Sequence, residues 1–280
     1  MFGALRIRNY RVWAGGALVS NVGTWMQRVA QDWLVLTILT HRNASAMGVV
    51  MALQFGPQLL LLPWSGYAAD RFDRRKLLIA TQAALGLLAL GLGLVTVLGV
   101  VTLWQVYGFA FLLGCVSAFD APVRQVFVNE LVGEAYLANA VSLNSTSFNA
   151  ARMIGPAMAG LLIAAVGCGW VFLINAASFA GVLASLLLRV DQLHGSGRGA
   201  GKTGGIAEGF RYVWRRPDLM AVLVMLLLIG TFGLNSPIFI STMALTAFHG
   251  GAGQYGLLTS AFAVGSVGGG HIARRRRGTQ

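Results

Sequence analysis

A chain of 280 residues that is 56% hydrophobic and 11% charged, with a mean hydropathy of +0.69, carries more apolar side chain than one soluble core can cover. Its net charge of +12 would suit a nucleic-acid ligand, but the basic residues lie in short clusters between apolar runs, as the positive-inside rule places them. That distribution excludes nucleic acid as a partner and predicts an all-α polytopic membrane protein surrounded by a lipid bilayer.

A hydrocarbon core about 30 Å thick needs roughly 20 helical residues per crossing. Dividing the apolar runs on that basis predicts eight spans, near 14 to 38, 46 to 68, 77 to 99, 101 to 119, 139 to 166, 168 to 188, 219 to 241 and 254 to 272. Strands are excluded because the runs are too long and too uniformly apolar for a barrel. Arg6, Arg8 and Arg11 precede the first run, yet that run continues to Leu39 and contains Arg28 and Asp32, so it reads as a retained span rather than a cleaved signal peptide.

Charged groups inside a bilayer cost about 2.5 to 3.5 kcal/mol each, so each one in a span needs a reason. In the first span Asn21, Trp25, Arg28 and Asp32 form one polar stripe facing the bundle interior, with Arg28 and Asp32 four residues apart and within reach of each other. This predicts that Asp32 either carries a proton or meets a cationic group, with Arg28 tuning it; a structural ion pair is the other reading. Gly66 to Lys76 follows the second span, and six of its eleven residues are charged. It reads as a loop at the basic membrane face.

The fourth span ends on Asp120-Ala-Pro122-Val-Arg124-Gln125. The fifth carries Arg152 on a stripe with Ser145 and Asn149, and an arginine there without an acid on its own helix needs a partner on another helix or an anionic substrate. Small residues Ala151, Gly155, Ala159 and Gly160 permit close helix approach, and Pro156 removes one backbone hydrogen bond.

From Val190 to Pro217 the character changes to a glycine-rich stretch and then a basic segment with Arg211, Trp214, Arg215 and Arg216. Residues 190–217 are expected to be a cytoplasmic linker with an amphipathic segment, joining an N-terminal six-helix bundle (1–189) to the first two helices of an incomplete C-terminal bundle (218–280). Gly201-Lys202-Thr203 resembles the end of a P-loop, but Ser196 stands where the first glycine is required and no strand precedes it. Cys115 and Cys168 have neither CxxC spacing nor a histidine partner, which leaves no metal site, and no cofactor is expected. No span shows a nucleophile with its base or paired carboxylates, so an enzyme is not expected.

Placing the N-terminus inside gives the inner face Arg6, Arg8, Arg11, the cluster from Arg71 to Lys76, Arg124, the segment from Arg189 to Arg216 and the run from Arg274 to Arg277, and leaves the outer face only Arg42. Trp13, Trp64, Trp104, Trp170 and Trp214 fall at the expected interfaces.

On Gly66, Asp70, Arg71, Arg74 and Arg75 the second loop resembles the signature loop of the major facilitator superfamily. Asp73 stands where that loop usually has a second glycine, and as an aspartate it can enter the left-handed turn. The resemblance implies a bridge from Arg74 to Asp120 and a capping role for Asp70 on a helix of the second bundle, closing an inner gate to which Arg124 also belongs. Gly155, Pro156 and Gly160 resemble the antiporter motif of drug/proton antiporters, with Ala151 and Ala159 in place of glycines.

Together with Thr24-Trp-Met-Gln-Arg28 and Asp32, these stretches look most like the exporter branch that includes enterobactin exporters and macrolide efflux pumps. The resemblance implies twelve helices, of which about eight are present. It also implies a bacterial plasma-membrane exporter of a small amphipathic molecule, a drug or siderophore, coupled to protons through a pathway of Arg28, Asp32, Asn149 and Arg152. A truncated, non-transporting membrane protein or partner-binding subunit is the alternative. Self-association is expected if the chain is complete.

Overall fold

A computed structural model describes residues 3–40, 43–187, 211, 214–229, 239–240, 243–244, 251–262 and 265, without the side chains of Asp70, Leu226 and Leu227. Most of the linker, the ends of the last two expected spans and the run from Arg274 to Arg277 lie outside these residues.

A short 3-10 turn over Gly3–Arg6 leads into α1, Arg8–Trp33, which widens without a break into a π turn over Leu34–Leu39. The Asn43 side chain accepts hydrogen bonds from the backbone N–H groups of Ser45 and Ala46 and so starts α2, Ala44–Arg71. α3, Arg74–Val97, begins where Asp73 accepts from the N–H of Lys76 at 3.0 Å. Asp73 is therefore an extended N-cap, with φ −61° and ψ 113°, and the left-handed turn expected there is corrected. An aspartate satisfies an orphan helix donor that a glycine cannot.

α4 runs from Leu103 to Val166, opened by a capping box between Thr102 and Gln105. At 1.5 Å per residue its 64 residues would extend about 96 Å, several times a bilayer core. Gly133 interrupts it with φ 66° and ψ 175°. Residues of both arms, Ser117 and Asp120 before the break and Asn144 and Phe148 after it, line one cavity, so the chain doubles back at this glycine. The loop expected between 119 and 139 is instead helix, because Val123, Phe127 and Leu131 recur at helical spacing and are buried against α1, α3 and the next helix.

α5, Cys168–Leu187, and α6, Pro217–Leu228, follow, and a last helix, α7, spans 252–262. Ahead of α6, Arg216 makes a two-pronged contact with Asp218, donating at 3.0 and 2.8 Å, and this hydrogen bonding holds the Asp218 carboxyl below its ordinary value.

α1 packs on α4 and α5, α2 on α4, and α3 on α5. Two large apolar cores result, with two smaller clusters beside them. One gathers Tyr10, Trp13, Leu78, Val123, Phe127 and Leu186; the other gathers Met26, Leu34, Leu92, Val106, Phe172 and Tyr255. Trp13 is 3% exposed and packs on Tyr10 and Phe127, which corrects its expected place in the interfacial belt; Trp64, Trp104, Trp170 and Trp214 are exposed. Leu60 and Leu161 are about 70% exposed on the outer surface, an apolar exterior that needs lipid to cover it. Among the described residues, α2, α3, α4 and α5 are long and apolar enough to cross a membrane, and α1 is long but more polar.

Candidate functional site

Between the two apolar cores lies a cavity of about 570 Å³. Most of the residues lining it carry an amide or hydroxyl, among them Asn21, Gln27 and Gln31 of α1, Gln54 and Gln58 of α2, and Asn144 and Asn149 of α4, while Phe55, Phe148 and Phe179 help to give its surface a larger apolar share. Some of these groups tie the wall together. Asn175 of α5 donates to the Gln27 side chain at 2.6 Å, and Gly23 leaves the room that lets α1 approach Asn175 and Ser178. Asn149 donates to the Ser145 carbonyl at 2.8 Å.

At one end of the cavity Asp120 is the hub of a hydrogen-bond network. It accepts from Thr81 at 2.8 Å, from Gln82 at 2.6 Å and from Arg124 at 2.8 and 3.2 Å, and Arg124 reaches on to Asn21 at 3.3 Å. The implied bridge from Arg74 to Asp120 is therefore corrected. Arg74 pairs with Glu130 instead, because α4 continues past Asp120 as helix and carries that acid to the loop. Arg75 donates to the Leu186 carbonyl at 3.0 and 2.7 Å, so it caps the end of α5, and Arg71 donates to the Tyr67 hydroxyl at 2.8 Å. Gly66 has open space around its Cα, and the Asp70 side chain lies outside the described residues.

At the other flank stand the intramembrane charges. Arg28 lines the cavity, its guanidinium 4.8 Å from the Trp25 ring centre and 5.5 Å from that of Phe55. Arg152 lies over the same Trp25 ring at 5.7 Å. Neither arginine makes an ion pair or a hydrogen bond within the described residues, and the Arg28 Nε is buried without an acceptor. Asp32 does not contact either of them closely enough to pair. It accepts a hydrogen bond at 3.3 Å from Tyr255 of α7, whose ring stacks on Trp33. Tyr255 and Glu130 were not singled out from sequence; Tyr255, set between Gly253 and Gly256 in an apolar run, was the available signal for a polar group at a close crossing.

The stretch Gly155, Pro156 and Gly160 explains this arrangement. A Cβ on Gly155 would meet the Trp25 side chain at 2.6 Å, and one on Gly160 would meet the Ala252 carbonyl oxygen at 2.7 Å. The second arm of α4 is thus pressed between α1 on one side and α7 on the other. That double contact brings Trp25, Arg28 and Arg152 together and sets Tyr255 against Asp32.

A helical bundle with an apolar exterior and a cavity between its helices defines a multi-pass membrane protein. The chain belongs to the major facilitator superfamily, matching the transmembrane secretion effector family over residues 1–279. It is 31% identical over 214 residues to the uncharacterized MFS-type transporter YfiS of Bacillus subtilis, covering 74% of this chain and 49% of the relative. Similarity extends to the staphyloferrin A transporter of Staphylococcus aureus, at 33% over 55% of this chain and 39% of the relative. The multidrug efflux pump Tap of Mycobacterium tuberculosis is 30% identical over 70% of this chain and 49% of the relative. The chain spans about half or less of the length of these curated relatives.

Proposed function

We propose that this chain acts in a secondary exporter of a small amphipathic molecule in a bacterial plasma membrane, driven by proton entry. The cavity between the two apolar cores is the observation that carries the reading. Its volume lies within the roughly 300 to 1,000 Å³ usual for small-ligand sites, and its amide-bearing wall sits inside a bundle whose outer surface is apolar. The name of one relative, the multidrug efflux pump Tap, supports the export direction.

Asp32 is the proton-carrying group in this reading. As a carboxylate it accepts from the Tyr255 hydroxyl, and a protonated carboxyl accepts more weakly, so the proton state is passed to the contact between α1 and α7. At 3.3 Å that hydrogen bond is long for an O–H donor, hence easily released. Residues 1–189 form the first bundle, with the N-terminus and the loop from Gly66 to Lys76 on the cytoplasmic side, and α6 and α7 open the second.

The test is substrate-evoked proton movement in everted vesicles containing the chain, across a panel of siderophores, macrolides and dyes. We expect at least one compound to release the imposed pH gradient, and Asp32→Asn to abolish that release. Equal release by the variant would remove Asp32 from the proton path, and no release from either protein over the panel would move the chain to the non-transporting, partner-binding alternative.

A further inference from the structure

We infer that the cargo site at the Arg28 end of the cavity takes an anion, a carboxylate-bearing molecule rather than a lipophilic cation; this rests on the reading of the cavity as the cargo site. The sequence alone leaves both signs open, since Asp32 and the two arginines share a region. The geometry separates them. Asp32 is turned to Tyr255 on α7 and does not line the cavity, whereas Arg28 does.

The charges on and beside the wall can be taken in turn. Asp120 and Arg124 neutralise each other at 2.8 Å. Of the remaining groups only Arg28 lines the cavity; Arg152 shares the Trp25 ring with it and Asp32 is turned to Tyr255, so among the described residues the unpaired charge on the wall is positive. Two guanidinium groups held over one indole ring, without an acid against either, are costly at membrane depth.

The Trp25 face offsets part of that cost through cation–π attraction, and an incoming oxyanion would offset the rest. A guanidinium offers a planar fork of donors matched to a carboxylate, and the Arg28 Nε is one such donor lacking an acceptor. The amides of Gln54, Gln58 and Asn149, which line the same cavity, suit further hydroxyl or carbonyl groups on the same ligand.

One consequence concerns coupling. A proton on Asp32 removes the negative charge acting on Arg28 and so favours an anion nearby rather than competing with it. Exchange of proton for anion must then be enforced through the contact between α1 and α7, not by direct displacement.

The experiment is equilibrium titration of the full chain in phosphatidylcholine nanodiscs with citrate, and separately with tetraphenylphosphonium. Saturable citrate binding that weakens as salt is added is expected. Arg28→Gln and Arg152→Gln should each weaken it about tenfold or more, as loss of a charged hydrogen bond does. Lysine at both positions keeps the charge and should retain weaker binding, which separates lost recognition from lost folding. Asp32→Asn should tighten citrate.

Saturable tetraphenylphosphonium binding without citrate binding overturns the inference. So does unchanged citrate affinity in a folded, monodisperse protein carrying both glutamine substitutions. No gradient is applied, so citrate binding without flux would sink the transport reading alone, and proton-coupled flux of cations alone would sink this one.

Discussion

Asp120 shows how much a single buried acid can organise. Its side chain is 8% exposed, and its two oxygens serve Thr81, Gln82 and Arg124 together. Replacing it by alanine leaves the largely buried Arg124 without a counter-charge and should destabilise the fold by about 3 kcal/mol, read as lost thermal stability in detergent. Arg74→Ala, breaking a pair with Glu130 that is less enclosed, should cost about 1 to 2 kcal/mol, and Glu130→Ala the same in the same assay. If Arg74→Ala is neutral while Asp120→Ala is not, the loop charge is only solvated. That intramembrane charges mark the interior was legible in the sequence, since burial of charge is a one-residue argument. Their partners were not. Choosing between Asp120 and Glu130 for Arg74, or between Arg28 and Tyr255 for Asp32, needs the rotation and end-point of a neighbouring helix, which no local pattern supplies.

The helices divide into those the apolar runs reveal and those they hide. α2, α3 and α5 end close to where their hydropathy ends. The middle of α4 escapes that reading because Asp120, Arg124, Glu130 and Glu134 break the apolar run, although its buried stripe keeps helical spacing. Small residues tell a similar story: the sequence shows that they permit close approach, and the structure shows which helix approaches each. Gly160→Ala should separate α4 from α7 and destabilise by about 1 to 3 kcal/mol, since the obstacle is backbone and cannot turn aside. Gly181→Ala, on α5 with open space around it, should stabilise by about 0.5 to 1 kcal/mol by removing backbone entropy from the unfolded chain. Thermal unfolding of the two variants side by side checks both, and a stabilised Gly160→Ala would mean the crossing is loose.

For the molecule as a whole, the exposed side chains Phe72 and Leu98 stand at opposite ends of α3 and report orientation. With Cys115 and Cys168 replaced by alanine, a cysteine at Leu98 should react with a membrane-impermeant maleimide in intact cells, and one at Phe72 only in everted vesicles. The reverse pattern would put the basic loop outside and overturn the reading from charge placement. The glycine at 133 matters at this scale too. Its φ of 66° suits glycine and few other residues, and helix resumes directly on either side with no spare chain. The two arms of α4 therefore meet at a single-residue pivot, and since Asp120 stands on one arm and Asn149 on the other, two walls of the same cavity are parted by one glycine and no loop.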